Sequence, residues 1–366
     1  MTEKDDFFLT GSEPAQDEAE TLTLQETTTK LLSPTLKIYM VAGEASGDLL
    51  GSHLMKTLKR QLHHPLLFYG VGGDKMAEQG LKSLFPYHEL SLLGVVELLP
   101  YLMTIFSRIN LVVDDILNKR PDIVITIDSP GFTFRVVEKL RAAGYTGKCM
   151  HYVAPTVWAY KPHRAAYCAK LYDHMLVLME FEKKFFDDAG LPCTWLGHPI
   201  VKETTLGQAE QFRQKYDIPE STTLFCLLPG SRKNEVQRHM PVFAKAIMML
   251  APYYPDLAIV VAVPKTMMEY IAPYFNNCPF RAVITSNEED KKNAIAASNI
   301  AFVKSGTVTL EVAMAGVPML IAYKIHPVSA YYFKRQSTIK HVNLINIIQK
   351  QEVFPELLQD NCNALM

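Results

Sequence analysis

The chain is poor in cysteine, and the six it has follow no pattern. Cys149, Cys168, Cys193, Cys226, Cys278 and Cys362 are scattered, with no Cys-x-x-Cys pair and no histidine at metal-ligand spacing. That excludes a disulfide scaffold and a zinc site, and it fits a reducing compartment. No segment has the pattern of an RRM, a KH module or a helix-turn-helix, so nucleic-acid binding is set aside. No glycine-rich loop ends in Gly-Lys-Ser/Thr, and no Gly-x-Gly-x-x-Gly follows a strand, so neither nucleotide fingerprint is present. No Ser-His-Asp order emerges. His151, His198 and His326 each sit beside a strand end or a proline and read as hydrogen-bonded structural histidines. Trp158 and Trp195, the only tryptophans, read as core.

Long apolar runs are missing as well. The best, Leu90–Phe106 (LSLLGVVELLPYLMTIF), is broken by Glu97 and Pro100. A spanning helix needs about 20 apolar residues, so this stretch is a buried helix or one lying in a membrane interface. The first thirty residues carry eight acids and two lysines, the wrong charge for an export signal, and no apolar h-region. Residues 1–34 therefore read as a disordered acidic tail. Net charge is −6 on residues 1–30 and −1 on the whole chain, which leaves +5 on residues 31–366. A mildly basic folded part suits anionic substrates or an anionic membrane surface; ordinary surface charge explains it equally well.

What remains is the composition of a soluble two-domain α/β protein, 48% hydrophobic and 20% charged over 366 residues. Short apolar runs alternate with helical periodicity. Leu36–Ala42, Leu66–Val71, Asp122–Ile127, Cys149–Val153 and Met175–Leu178 form one series. After a pause near Gly197–Glu203, Leu224–Leu228, Leu257–Val263, Ile300–Val303 and Met319–Tyr323 form a second. Strands separated by helices predict βαβ units and parallel sheets. Two doubly wound, Rossmann-like units would face each other across a cleft, and ligands bind at the carboxyl edges of such sheets.

Four strand ends carry candidate chemistry. Gly43-Glu44-Ala45-Ser46-Gly47-Asp48 is either a ligand loop opening a helix or a plain strand-to-helix turn. Asp128, ending an apolar strand before Ser129-Pro130-Gly131, is either a general base or an Asx turn. In Pro229-Gly230-Ser231-Arg232, Arg232 has the planar fork that grips phosphate, with Lys233, Arg238 and His239 nearby. Ser305-Gly306-Thr307 offers amides and hydroxyls to a diphosphate, and Glu311, one turn on, offers a carboxylate to ribose or serves as helix N-terminal charge.

Taken together, the motifs resemble lipid A-disaccharide synthase, an inverting glycosyltransferase family of the GT-B fold. The likeness runs from about Lys37 to Leu358. It rests on VAGEASGD (Val41–Asp48), LLGVVELL (Leu92–Leu99), IDSPGF (Ile127–Phe132), HYVAPTVWAY (His151–Tyr160), FEKKFF (Phe181–Phe186), GHP (Gly197–Pro199), LLPGSR (Leu227–Arg232) and SGTVTLE (Ser305–Glu311). Each motif is weak alone; their set and order are specific.

The resemblance implies transfer of 2,3-diacylglucosamine from its UDP derivative to 2,3-diacylglucosamine 1-phosphate, giving a β-1′,6-linked disaccharide 1-phosphate and UDP. It implies no metal and no tightly held cofactor, and work at the cytoplasmic face of the inner membrane as a peripheral protein. Carried over by position, Asp128 is the base and Arg232 neutralises the leaving diphosphate. Ser305, Gly306, Thr307 and Glu311 hold UDP, while Glu44, Ser46, Gly47 and Asn346 line the sugar or acceptor side. Leu92, Leu93, Val95, Val96, Leu98 and Leu99 meet acyl chains or membrane. The implied layout is residues 35–200 on the acceptor and membrane side and 201–345 for the UDP-sugar. A segment 346–366, shorter than usual, would cross back to the N-terminal domain.

Some positions depart from the family pattern. Where members usually read Asp-Ala-Pro-Asp-Phe, Gly131 replaces the second acid. Where they read Ser-Leu-Pro-Asn and Ala-Gly-Arg-Glu, the chain has Asn343-Leu344-Ile345-Asn346 and Gln349-Lys350-Gln351-Glu352. Other readings to separate are a peptidoglycan N-acetylglucosaminyltransferase, a UDP-sugar 2-epimerase and a non-catalytic lipid-binding protein. Leu90–Phe106 and the full motif set favour the lipid enzyme.

Overall fold

A computed structural model describes residues 34–90, 102–203, 207–327, 330, 331, 335, 337 and 339–365. The acidic tail (but for its last residue) and the Leu92–Leu99 stretch lie outside the described residues. Two parallel sheets organise the rest. The first has seven strands in the order β3-β2-β1-β4-β5-β6-β7. They are β1 Leu36–Ala42, β2 Leu66–Val71, β3 Lys82–Ser83, β4 Ile123–Ile127, β5 Lys148–Tyr152, β6 His174–Val177 and β7 Cys193–Trp195. The second has six, in the order β10-β9-β8-β11-β12-β13. They are β8 Thr223–Leu228, β9 Leu257–Ala262, β10 Arg281–Thr285, β11 Ile300–Lys304, β12 Met319–Tyr323 and β13 Glu356–Leu358. Every pairing in the second sheet is parallel.

Parallel strands are buried on both faces, which is why they read as unbroken apolar runs. All six residues of β9 are buried. Alternate residues of β8 serve opposite cores. Leu224, Cys226 and Leu228 pack with Ala294, Ile295 and Val312. Phe225 and Leu227 pack with Val236, Met240 and Phe243. Helices thus cover both faces, and each fully buried Leu or Phe is worth ~1.5–3 kcal/mol. The strands that are not apolar runs escape the pattern: Lys82–Ser83, Cys193–Trp195, Arg281–Thr285 and Glu356–Leu358 are short or begin with a charge.

By compactness the chain divides into two units that interleave in sequence. One comprises residues up to Pro155, Ala166–Leu176 and Ala189–Thr194. The other comprises Thr156–Ala165, Val177–Asp188 and everything from Trp195. The C-terminal segment contributes a strand to the second sheet. β13 pairs with β12 through Ile321↔Glu356, Ala322↔Leu357 and Tyr323↔Leu358, and so completes the second sheet. Glu356 holds it there, accepting hydrogen bonds from Val342 N (2.9 Å), Asn343 N (3.0 Å) and Asn346 Nδ2 (2.8 Å).

The helix Leu102–Lys119 buries Ile109, Val112, Val113 and Ile116 while Met103 and Phe106 are exposed. Among the described residues no helix is long and apolar enough to cross a membrane.

Candidate active site

In each sheet the strand order reverses once, between β1 and β4 and between β8 and β11. Crevices outside the carboxyl ends at such reversals are where doubly wound sheets take ligands. The candidate residues gather at these two places.

At the first reversal the backbone itself is under strain. Asp128 (φ 52°), Ser129 (φ 47°) and, at the end of β5, the β-branched Val153 (φ 75°) are all left-handed. Such conformations cost about 1–3 kcal/mol each and cluster at functional sites. The Asp128 carboxylate is fixed by Ser129 N to Oδ1 (2.8 Å) and by the Ser46 hydroxyl to Oδ2 (3.2 Å). Gly43 makes room for the corner, since a Cβ there would lie 2.8 Å from Ser129 Oγ.

The Gly43–Asp48 loop is shorter than expected, because the helix Ala45–Gln61 begins two residues after Gly43. Ser46 is exposed in its first turn and Glu44 half-buried at its cap. Gly47 is buried. A Cβ on it would sit 3.3 Å from Ala42 Cβ and 3.4 Å from Ile127 O, so it packs the helix onto the sheet and offers no surface to a sugar. Asp48 is structural too. It accepts from Gly73 N (2.8 Å), Lys75 N (3.1 Å) and Met76 N (3.0 Å), capping the helix Asp74–Glu78 from a distance.

At the second reversal charge does the positioning. Glu235 Oε2 receives Ser231 N (3.2 Å) and Arg232 N (3.3 Å). Its Oε1 meets Lys304 Nζ at 2.9 Å and Arg232 Nη1 at 3.8 Å. Burial works against its charge, but Lys304, together with the loop amide and Arg232, outweighs that and holds the carboxyl below its usual range. Gly230 has φ 125°, and a Cβ there would come within 2.6 Å of Glu235 Cβ, so only glycine fits. Arg232 is 67% exposed, and exposed pairs of this length are worth about 0–1 kcal/mol, so its fork can turn to a phosphate at little cost.

Across the reversal, Ser305 is buried and donates its hydroxyl to Val342 O (3.2 Å), which leaves the oxygen as an acceptor. Thr307 is exposed and Gly306 half-buried at the start of the helix Val308–Met314. Thr309, itself bonded by Asn343 Nδ2 at 2.7 Å, donates to Gly306 O at 2.7 Å and fixes that loop. Glu311 pairs with Lys291 at 3.2 Å.

Asn346 is not at a ligand surface. It is fully buried and its amide is saturated. Nδ2 donates to Phe354 O and Glu356 Oε1, and Oδ1 accepts from Val353 N and Phe354 N. The polar side chain is consumed by the turn that leads into β13. Trp195 also departs from expectation: it is half-exposed, with its indole N–H on Leu178 O (3.1 Å). Lys304 and Glu235 were missed. The signals were there, since Lys304 is a charge ending a buried strand and Glu235 stands at the third helical position after a cap.

A profile of the lipid-A-disaccharide synthetase family matches residues 38–366. The chain belongs to the lipid-A-disaccharide synthase family. The lipid-A-disaccharide synthase of Rhodospirillum centenum (strain ATCC 51521 / SW) is 45% identical over 328 residues, 89% of this chain and 82% of the relative. That of Rickettsia prowazekii (strain Madrid E) is 41% identical over 330 residues, covering 90% and 86%. Among solved structures, UDP-GlcNAc 2-epimerase from Neisseria meningitidis bound to UDP-GlcNAc superimposes with a TM-score of 0.58 at 14% identity, covering 86% of this chain and 90% of that one. That likeness is one of fold, the two-unit GT-B type. Lipid-A-disaccharide synthases are glycosyltransferases of lipid A and lipopolysaccharide synthesis, so the chain is an enzyme forming the lipid A disaccharide.

Proposed function

We propose that this synthase transfers 2,3-diacylglucosamine from UDP-2,3-diacylglucosamine to 2,3-diacylglucosamine 1-phosphate, with Asp128 as general base and Arg232 on the leaving diphosphate. The acceptor 6-hydroxyl oxygen bonds to the anomeric carbon with inversion while its proton passes to Asp128. The bond from that carbon to the diphosphate breaks, and UDP departs with the electron pair. Arg232 stabilises the charge that develops there. Lys304 and Glu235 hold the Arg232 loop in place. Gly306 and Thr307 offer donors to the diphosphate, Ser305 its acceptor oxygen, and Glu311 takes the ribose hydroxyls. Glu44 and Ser46 line the acceptor side.

The observation that carries this reading is the strained corner presenting Asp128 at a strand-order reversal. Incubation with both substrates and direct mass measurement of the product tests it: disaccharide 1-phosphate in wild type, almost none in Asp128→Ala. Full activity in Asp128→Ala would remove the base assignment.

The same reading places the enzyme peripherally on the cytoplasmic face of the inner membrane, since both substrates carry acyl chains. Exposed Met103 and Phe106, the latter under the Arg135 guanidinium at 5.7 Å, would continue the Leu92–Leu99 contact. Flotation with anionic phospholipid vesicles tests this; Met103→Ser/Phe106→Ser should float less, and equal flotation would count against it.

A further inference from the structure

Beneath the Asp128 corner lies a chain of buried polar groups that the reaction as described does not use. Thr126, Thr133 and His151 are each 0% exposed and Tyr172 is 4% exposed. His151 Nδ1 is 2.7 Å from Thr126 Oγ1, which is 3.0 Å from the Tyr172 hydroxyl. Thr133 lies near the start of the helix Pro130–Ala142 that follows Asp128. Its own hydroxyl donates to Asp128 O (2.9 Å), shared with Ser129 O (3.0 Å). The rings of Phe134 and Tyr172 enclose the imidazole at centroid distances of 5.0 and 5.1 Å.

The proton order follows from which atom can be left alone. Among the described residues His151 Nε2 is buried with no hydrogen-bond partner. A buried N–H without an acceptor is the worse orphan, so Nε2 is the bare lone pair and Nδ1 carries the proton. Protons then run one way, His151 to Thr126 and Thr126 to Tyr172, while Thr133 donates separately to the Asp128 carbonyl. Each donor in such a chain polarises the next. Burial holds the ring neutral, its pKa pushed down to about 3, so the order persists at physiological pH.

Four buried polar groups and one orphaned nitrogen cost stability that an apolar filling would not. The Thr133 hydroxyl ends on the carbonyl of Asp128, the first of two consecutive left-handed residues, where the carboxylate direction is set.

We infer that Thr133, whose hydroxyl grips the Asp128 and Ser129 carbonyls, is a positioning residue that holds the Asp128 corner in its left-handed conformation and thereby aims the catalytic carboxylate. This rests on the reading of Asp128 as general base. With the hydroxyl gone, the corner relaxes toward unstrained backbone and the carboxylate swings away from the acceptor hydroxyl. A displacement of about 1 Å costs up to about 100-fold in rate.

The test is a double-mutant cycle on the full-length enzyme. Thr133→Val keeps the shape and removes the hydroxyl, Thr133→Ser restores it, and Asp128→Asn supplies the background. Expected are a fall in kcat of about 10- to 100-fold in Thr133→Val with KM for the UDP-sugar unchanged, recovery in Thr133→Ser, and no further loss when Thr133→Val is added to Asp128→Asn. Equal losses from Thr133→Val in both backgrounds would overturn the inference and make Thr133 a packing residue. Full activity in Asp128→Asn would overturn the base assignment instead, so the two failures are told apart. If Thr133→Val fails to fold, Thr133→Ala removes the same hydroxyl without a branched side chain and is read in the same cycle.

Discussion

The two strand-order reversals hold their functional groups by opposite means. At the first, a single carboxylate sits on strained backbone and is met by neutral groups: the Thr133 hydroxyl on the Asp128 carbonyl, and the Ser46 hydroxyl and Ser129 amide on the carboxylate. At the second, cations are arrayed around a half-buried carboxylate, and the loop is pinned by Glu235 taking two amides and two cations. The contrast fits the proposed tasks. A base must meet one proton in one direction, and neutral hydrogen bonds give direction. A leaving diphosphate needs charge close by, and an exposed arginine on a fixed loop supplies it without a fixed angle.

Breaking each edge should therefore give different signatures. Asp128→Asn has the largest expected effect, a loss of about 1000-fold in kcat, the middle of the range for a general base; initial-rate assays with both substrates check it. Arg232→Ala comes next, with a loss of about 100-fold in kcat/KM, the range for removing one charge-stabilising donor. Glu235→Gln is milder, about 10-fold in kcat/KM, because Lys304 and the loop amides lose their anchor but the cations remain; a thermal midpoint measured in parallel separates loop loosening from unfolding.

The smallest effect is on stability against pH. The folded pKa of His151 lies at about 3 against 6.5 for the free ring. Because it is depressed, its contribution is fully present above 6.5 and is lost as pH falls from 6.5 toward 3, where the unfolded chain binds a proton the buried ring refuses. Denaturant midpoints across that range should fall less steeply, by about one proton in slope, in His151→Gln. An unchanged slope would mean that the ring is not held neutral.

Much of this was legible in the sequence because parallel strands are buried on both faces. β1 and β9 announce themselves as apolar runs, and Asp128 as the polar residue that ends one. β10, opening on Arg281, and β13, opening on Glu356, gave no such signal, since an edge strand need not be apolar. Asp48 and Asn346 show the other limit. A polar residue inside a motif can serve a ligand or a neighbouring backbone, and spacing does not say which; only the three amides around Asp48 and the four bonds of Asn346 decide it. The buried hydroxyls near Asp128 were hidden for a similar reason, because Thr126, His151 and Tyr172 meet only across β4, β5 and the helix that follows, and Thr133 reaches back to Asp128 only once its helix forms.

The central claim is that direction is set at one edge and charge at the other. Calorimetric titration of UDP into Asp128→Asn and Arg232→Ala tests it most directly. The account predicts wild-type UDP affinity in Asp128→Asn despite its lost turnover, and affinity weakened about 10-fold or more in Arg232→Ala, as loss of a charged hydrogen bond implies. Weakened binding in Asp128→Asn with unchanged binding in Arg232→Ala would contradict it.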